Sequence, residues 1–285
     1  MADSPVSVRG AVAFSWSLWS AHWRSIWGVL ALSSLAGTVA TAGSLVDNQP
    51  LKFVGLGASV IISLMSNGAI FRLAFADRHV GDPAFAPGPS GLQWRALEWR
   101  LLGATGLLIA FEMIIAVLLL IAVGAVAAGL MLSHGGLARP PQTPEAIVAA
   151  LGPAGGAVVS LLAIVGYGAF LFVAIRLGLT TAATADEGRI QVLSTWRLTR
   201  GQFWRMVGSL FVIIAPLTLF SMVVGATNVS MQGGVATTVQ LSPSAALVSG
   251  LLMGVLSGGV MQPLIAGVLA YFYRKLKAPG SGAAV

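Results

Sequence analysis

The sequence predicts an all-α, polytopic membrane protein with six transmembrane helices, and three observations carry that expectation. The chain is 56% hydrophobic and 9% charged, with a mean hydropathy of +0.88. A soluble domain carries about 25% charged residues to cover its water-facing surface. Six apolar stretches reach the ~20 residues that a helix needs to cross the hydrocarbon core: residues 25–46, 53–75, 101–131, 154–176, 206–228 and 245–272. Finally, the cations are sorted between the connections. Segments 47–52, 132–153 and 229–244 hold Lys52 and Arg139. The other side holds Arg9, Arg24, Arg72, Arg78, Arg95, Arg100, Arg176, Arg189, Arg197, Arg200, Arg205, Arg274, Lys275 and Lys277. In short connections this asymmetry sets orientation. Both termini are therefore expected in the cytoplasm, and the even number of spans agrees.

The first span contains IWGVLALSSLAGTVATA at 26–42, an apolar core ending like a cleavage site. The segment before it is long and Trp-rich, unlike the short basic start of a leader peptide, so a retained span is expected. Upstream, Val8, Val12, Trp16, Trp19, Trp23 and Trp27 recur at steps of three and four. That spacing is one face of a helix, rich in the aromatic that prefers the headgroup layer. Residues 1–24 are accordingly expected to form an interfacial helix. Before the third span, SGLQWRALEWR at 90–100 opens with Ser90 and Gln93 at capping-box spacing. Before the fifth, RIQVLSTWRLTRG at 189–201 sets Val192, Leu193 and Trp196 against Arg189, Arg197 and Arg200, and Gly201 suits a helix C-terminus. Each piece is expected to be a short amphipathic helix on the cytoplasmic leaflet leading into a span. Residues 278–285 are expected to be a flexible cytoplasmic tail of this single six-span domain.

Trp is followed by Arg at Trp23-Arg24, Trp94-Arg95, Trp99-Arg100, Trp196-Arg197 and Trp204-Arg205. Random placement would give about 0.4 such pairs at near-average composition. Three of them open successive two-span hairpins, which close at Phe71-Arg72, Ile175-Arg176 and Tyr273-Arg274. This order suggests a threefold repeat of helical hairpins in one orientation. Aromatic belts and positive-inside bias place Trp and Arg at that boundary without duplication too, so shared ancestry stays open. Trp23, Arg24, Trp99, Arg100, Trp196, Arg197, Arg200, Trp204 and Arg205 are the expected lipid-interface residues.

The chain has no cysteine, which removes disulfides, thiolate metal ligands and Cys nucleophiles. Its net charge of +7 resides on cations that flank apolar runs. Nucleic-acid binders instead cluster cations on a polar face, so anionic headgroups are the expected counterpart. His22, His79 and His134 lie in separate connections, and Asp186-Glu187 is the only adjacent acidic pair. The bland reading of that pair is a turn neutralised by Arg189, Arg197 and Arg200. No catalytic or metal constellation emerges, so neither an enzyme nor a cofactor is expected. Arg outnumbers Lys thirteen to three beside abundant Ala and Gly, a composition of high-GC bacteria that points to a bacterial inner membrane.

Depth counting singles out one constellation. Glu112 lies twelve residues past Arg100, about 18 Å along a helix and so near mid-bilayer. Gln262 lies twelve before Arg274, Pro263 adjoins it, and Pro216 lies eleven past Arg205. An intramembrane carboxyl is a candidate functional group, and proline-broken helices at the midplane build transporter sites. The competing reading is interhelical bonding of Glu112 to Gln262 or Tyr167, with prolines that only kink. In span six, Gly250, Gly254 and Gly258 form a ridge-free face for close helix approach. Packing within the chain is the expected use, and a homodimer seam competes. Gly124-x-x-x-Ala128 is a second, more ordinary face of this kind.

Arg176-Leu177, Asp186-Glu187-Gly188, Ser194-Thr195-Trp196-Arg197-Leu198-Thr199-Arg200-Gly201 and Phe203-Trp204-Arg205 resemble a recurring bacterial pattern. It is similar to the membrane domain of the glycerophosphoryl diester phosphodiesterase type and its stand-alone YciC-like relatives. The specific likeness covers about residues 172–207, with looser agreement in the six-span layout. It implies a multi-span membrane domain; the six spans leave no room for the soluble phosphodiesterase domain, so the hydrolytic activity is not implied. The expectation is a non-enzymatic protein that organises lipids, protein partners or copies of itself through a basic, Trp-rich face. The alternative is a transporter or lipid-handling protein that uses the Glu112 region.

Overall fold

The computed structural model describes residues 6–45, 48–86, 88–133, 144–226, 229–232, 235–238 and 243–277. His134, Arg139 and the 278–285 tail lie outside them. Ten α-helices account for most of the described chain: α1 (Val8–His22), α2 (Trp27–Leu45), α3 (Gln49–Phe75), α4 (Ala96–Ser133), α5 (Pro144–Leu177), α6 (Thr180–Glu187), α7 (Ser194–Leu198), α8 (Phe203–Ala226), α9 (Pro243–Gly254) and α10 (Gln262–Lys277). Five helical stretches are long and apolar enough to cross a membrane. A sixth arises if α1 and α2 count as one broken span. An antiparallel hairpin, β1 (Val229–Gln232) and β2 (Val235–Thr238), pairs Val229 with Thr238 and Gln232 with Val235. It departs from the all-α expectation at a segment of β-branched Val and Thr, which favour a pleated strand.

The described residues form two compact units, 106–177 and the remainder. In the larger unit, α2 is the central helix. One side of it meets α3, where Gly55 lies so close to Ala40 that an added Cβ would sit 2.4 Å from the Ala40 nitrogen. Its other side meets α9 and the turn that follows. There an added Cβ on Gly254 would sit 2.2 Å from the Ser34 carbonyl, and one on Gly258 2.7 Å from the Ser33 carbonyl. Gly250 backs onto the Thr38 carbonyl in the same way, at 2.9 Å. Water provides no drive for helix association inside a bilayer, so close backbone approach through small residues supplies the van der Waals contact instead.

Residues Val255–Met261 form a π-helical segment between α9 and α10. Pro263 follows it and lacks the N–H that would bond the carbonyl four residues back, at Gly259. That carbonyl is taken by the Trp19 indole N–H at 3.1 Å. The wide turn thus has an identifiable cause and a partner in α1. Further along, the Ser15 hydroxyl donates to the Leu264 carbonyl at 2.5 Å, and Gly267 leaves room for Ser15.

These contacts revise the reading of the N-terminal helix. Its buried face consists of Ala11, Ser15 and Leu18, and the close approach to α10 is made where Ser15 meets Gly267 and Gly10 meets Tyr271. Trp16 and Trp23 are 53% and 45% exposed. The helix stops at His22 and meets α2 at a bend of 108°, so the stripe from Val8 to Trp27 is not one continuous face. Ser7 caps the start, its hydroxyl accepting from the Gly10 N–H at 3.0 Å.

The smaller unit is a hairpin of the apolar part of α4 and α5. Gly166 admits Leu119 and Gly155 admits Leu130 within it. Gly152, at φ 63°, and Pro153 break α5. The Gly124 face meets no neighbour within 4 Å.

Candidate functional site

Sequence reasoning expected a capping box at Ser90 and Gln93, and a separate short helix over 90–100. Instead Pro89–Gly91 is a single tight turn, with Ser90 at φ 55°. One uninterrupted helix then runs from Ala96 to Ser133. Its 38 residues span about 57 Å, so Trp99-Arg100 lies within its length and is not a hinge. The cap is Glu98: its Oε2 accepts from the Arg95 N–H at 2.8 Å, placing a carboxylate on the positive end of the helix. The Gln93 side-chain amide, though buried, has no hydrogen-bond partner among the described residues.

Glu98 also holds Arg72, the last-turn cation of α3, in a bidentate pair. Nη1 lies 2.7 Å from Oε1 and Nη2 lies 2.9 Å from Oε2, and both side chains are fully buried. The Arg72 Nε donates to the Ala84 carbonyl at 3.0 Å, so this guanidinium fixes the end of α3, the following loop and the start of α4 together. An added Cβ on Gly68 would collide with the Glu98 carboxylate at 2.4 Å, which explains a glycine one turn before Arg72.

Beside this pair, Asp186-Glu187 closes α6, and Gly188 takes the left-handed conformation (φ 65°) that ends the helix, its N–H donating to the Thr184 carbonyl. Asp186 receives Lys277 Nζ at 2.9 Å, His79 Nε2 at 3.2 Å and Arg78 Nη1 at 3.3 Å. Glu187 receives Gln191 Nε2 at 2.7 Å, the Tyr273 hydroxyl at 2.9 Å and Arg189 Nη2 at 3.1 Å. The expected neutralisation by Arg189 therefore occurs. The other two expected cations, Arg197 and Arg200, are exposed, and residues from α10 and the loop after α3 serve in their place. Only five residues of the 189–201 segment, Ser194–Leu198, are helical, and Gly201 turns the chain at φ 77°.

Burial of the Asp186 carboxyl raises its pKa. Lys277 foremost, then His79 and Arg78, outweigh that burial and hold it below the usual carboxylate value. Glu187 is likewise lowered: burial opposes, while the Tyr273 hydroxyl, Arg189 and Lys277 prevail. On the outer side, Arg274 pairs with Asp77 at 2.5 Å and reaches the Ala74 carbonyl. Its own carbonyl accepts from Arg78 Nη2 at 3.0 Å. The ends of α3, α6 and α10 are thus joined by one charged network.

A cleft of about 350 Å³ opens against this network. Arg95 just before α4, Arg100 of α4, His79 and Asp82 of the loop, Asp186 of α6 and the Gly188 that ends it are among its lining. The His79 ring stacks on Phe85 with centroids 3.8 Å apart. Sequence reasoning passed over this site because its residues come from four separate segments, and no local spacing connects them.

The midplane residues fall in both units. Gln262 is committed within the larger unit, its Nε2 donating to the Ser63 hydroxyl at 2.6 Å and the Ser63 carbonyl at 3.0 Å. Pro263 is buried beside it, whereas Pro216 on α8 is exposed. In the smaller unit, Glu112 is half-buried, and Tyr167 is 64% exposed. No hydrogen bond or ion pair joins Glu112 to any other described residue. Among the boundary residues, Trp23, Trp99 and Trp204 are exposed at 45%, 62% and 79%, and Trp196 at 36%. Arg24, Arg100, Arg197, Arg200 and Arg205 are exposed as well. Arg24 lies 5.5 Å from the Trp23 ring.

Apolar helices of this length and number make the chain a membrane-embedded helical protein. No family model matches it, and neither a curated protein nor a solved structure is similar to it.

Proposed function

We propose that the protein is a non-enzymatic component of a bacterial inner membrane, with cytoplasmic termini, that organises anionic lipids or partner proteins through its cationic end. The observation that carries this reading is an imbalance at that end. Asp77, Glu98, Asp186 and Glu187 each face a cation of the same chain. Arg24, Arg100, Arg197 and Arg200 are exposed and face no carboxylate among the described residues. They stand beside exposed Trp side chains, the aromatic that settles at headgroup depth. Each cation near an anionic leaflet contributes about 1 kcal/mol of attraction. The resemblance of residues 172–207 to the YciC-like membrane domain supports the same class, as does the repeated Trp-Arg. Superposing the three hairpins tests whether a threefold repeat underlies it.

The test is lipid retention. Protein extracted in mild detergent should carry phosphatidylglycerol in preference to phosphatidylcholine by native mass spectrometry. The Arg197→Gln/Arg200→Gln/Arg205→Gln variant should retain several-fold less. Equal retention of both lipids by the unaltered protein would remove the proposal.

The alternative, a transporter or lipid-handling protein, rests on Glu112, a carboxyl in the apolar stretch of α4 that meets no partner among the described residues. A proton-coupled role requires that Glu112→Gln abolish substrate movement in proteoliposomes while leaving the fold intact.

A further inference from the structure

We propose that the cleft between the start of α4 and the end of α6 binds a phosphomonoester dianion through the side chains of Arg95 and Arg100. The inference deepens the lipid-engaging reading above and rests on it.

The lining of the cleft separates into groups that are already engaged and groups that are not. Arg72 is neutralised by Glu98, with both side chains fully buried. Asp186 faces Arg78, His79 and Lys277, and Glu187 faces Arg189. Two guanidinium groups remain. Arg95 donates from Nη1 to the Pro83 carbonyl at 3.1 Å and meets no carboxylate with its side chain. Arg100 makes no hydrogen bond or ion pair among the described residues. Its Nη1 lies beside Gly188, where an added Cβ would approach to 3.2 Å, so the glycine of Asp186-Glu187-Gly188 keeps that guanidinium's position open. Asp82 is the remaining acid of the lining, and its Oδ1 caps its own turn by accepting from the Ala84 N–H at 2.8 Å.

Two planar forks lining one cleft suit a tetrahedral oxyanion, because guanidinium and phosphate form paired charge-assisted hydrogen bonds. A dianion matches two such cations better than the monoanion of a phosphodiester. At about 350 Å³ the cleft holds a phosphate together with several waters of ~30 Å³ each. Trp99 lies between the two arginines in sequence, exposed and edge-on to Trp94 with centroids 5.3 Å apart. The backbone end of α4 is not the binding element, since Glu98 already occupies it.

The headgroup of phosphatidic acid and free inorganic phosphate share this chemistry, and separate arms distinguish them. In nanodiscs of phosphatidylcholine, phosphatidic acid should bind the protein about tenfold or more tightly than phosphatidylglycerol, a phosphodiester. Arg95→Gln/Arg100→Gln should abolish that preference, whereas Arg197→Gln/Arg200→Gln/Arg205→Gln should weaken both lipids alike and leave the ratio unchanged. In lipid-free detergent, phosphate at matched ionic strength should raise the melting temperature of the unaltered protein and not of the double variant. A response in either arm supports the site and identifies the source. No response in both arms overturns it, and so does a preference that survives the double variant. If the glutamine variant fails to fold, Arg95→Lys/Arg100→Lys replaces it: loss of the forks should reduce the preference, and an unchanged ratio overturns the assignment. General lipid engagement fails separately, by equal retention of anionic and zwitterionic lipids.

Discussion

Arg72 and Asp186 sit in the same charged region but carry different energetic weight. The Arg72–Glu98 pair is fully buried, so removing one partner leaves an uncompensated charge without water. Arg72→Met should cost about 3–5 kcal/mol, and Arg72→Met/Glu98→Leu should recover much of that loss. Unfolding in detergent checks both variants, and a single substitution costing under about 1 kcal/mol would refute the pairing. Asp186 is a buried hub with several cationic partners and a lowered pKa, and its contribution follows pH. Its stabilisation is complete above the ordinary aspartate value near ~3.9 and disappears as pH falls through the lower folded value. Hydrogen exchange at the ends of α6 and α10 should therefore hold steady from neutral pH to about 5 and rise below about 4. Asp186→Asn should show raised exchange at every pH.

At the scale of the elements, the last span shows how glycine and proline divide their roles. Gly254 and Gly258 bring α9 and the π-helical turn against the α2 backbone, and Pro263 frees the carbonyl that Trp19 takes. Gly254→Leu would drive a side chain into the Ser34 carbonyl. It should give misfolded, aggregating protein by size-exclusion chromatography; well-folded monomers obtained from a former dimer would indicate a seam between copies instead. The same elements mark where local reading stops. The 3.6-residue period at Val8–Trp27 is present in the sequence, yet α1 turns Ala11, Ser15 and Leu18 inward, because its close contact with α10 is made at Gly10 and Ser15, where small size admits the neighbour. Ser90 and Gln93 had the right spacing for a cap. Glu98 displaced them because one carboxylate could satisfy both the helix start and a buried guanidinium.

Across the whole molecule, the apolar helices were legible because a bilayer admits only segments that satisfy their own backbone, and those must be long and oily. The Asp186-Glu187-Gly188 turn could be read as a charged junction, with Arg189 among its partners. The sequence by itself thus determined that the chain is built on long apolar helices and roughly where they fall, five of them long enough to cross a membrane and a sixth only if α1 and α2 count as one. Only the tertiary structure decided which charges neutralise one another, and hence which meet no opposite charge among the described residues. Lys277, Arg78 and His79 reach Asp186 from elements far apart in the chain, and Arg95 and Arg100 are left facing a cleft. Pairing of charges is a property of distances in space, and no periodicity along the chain encodes it.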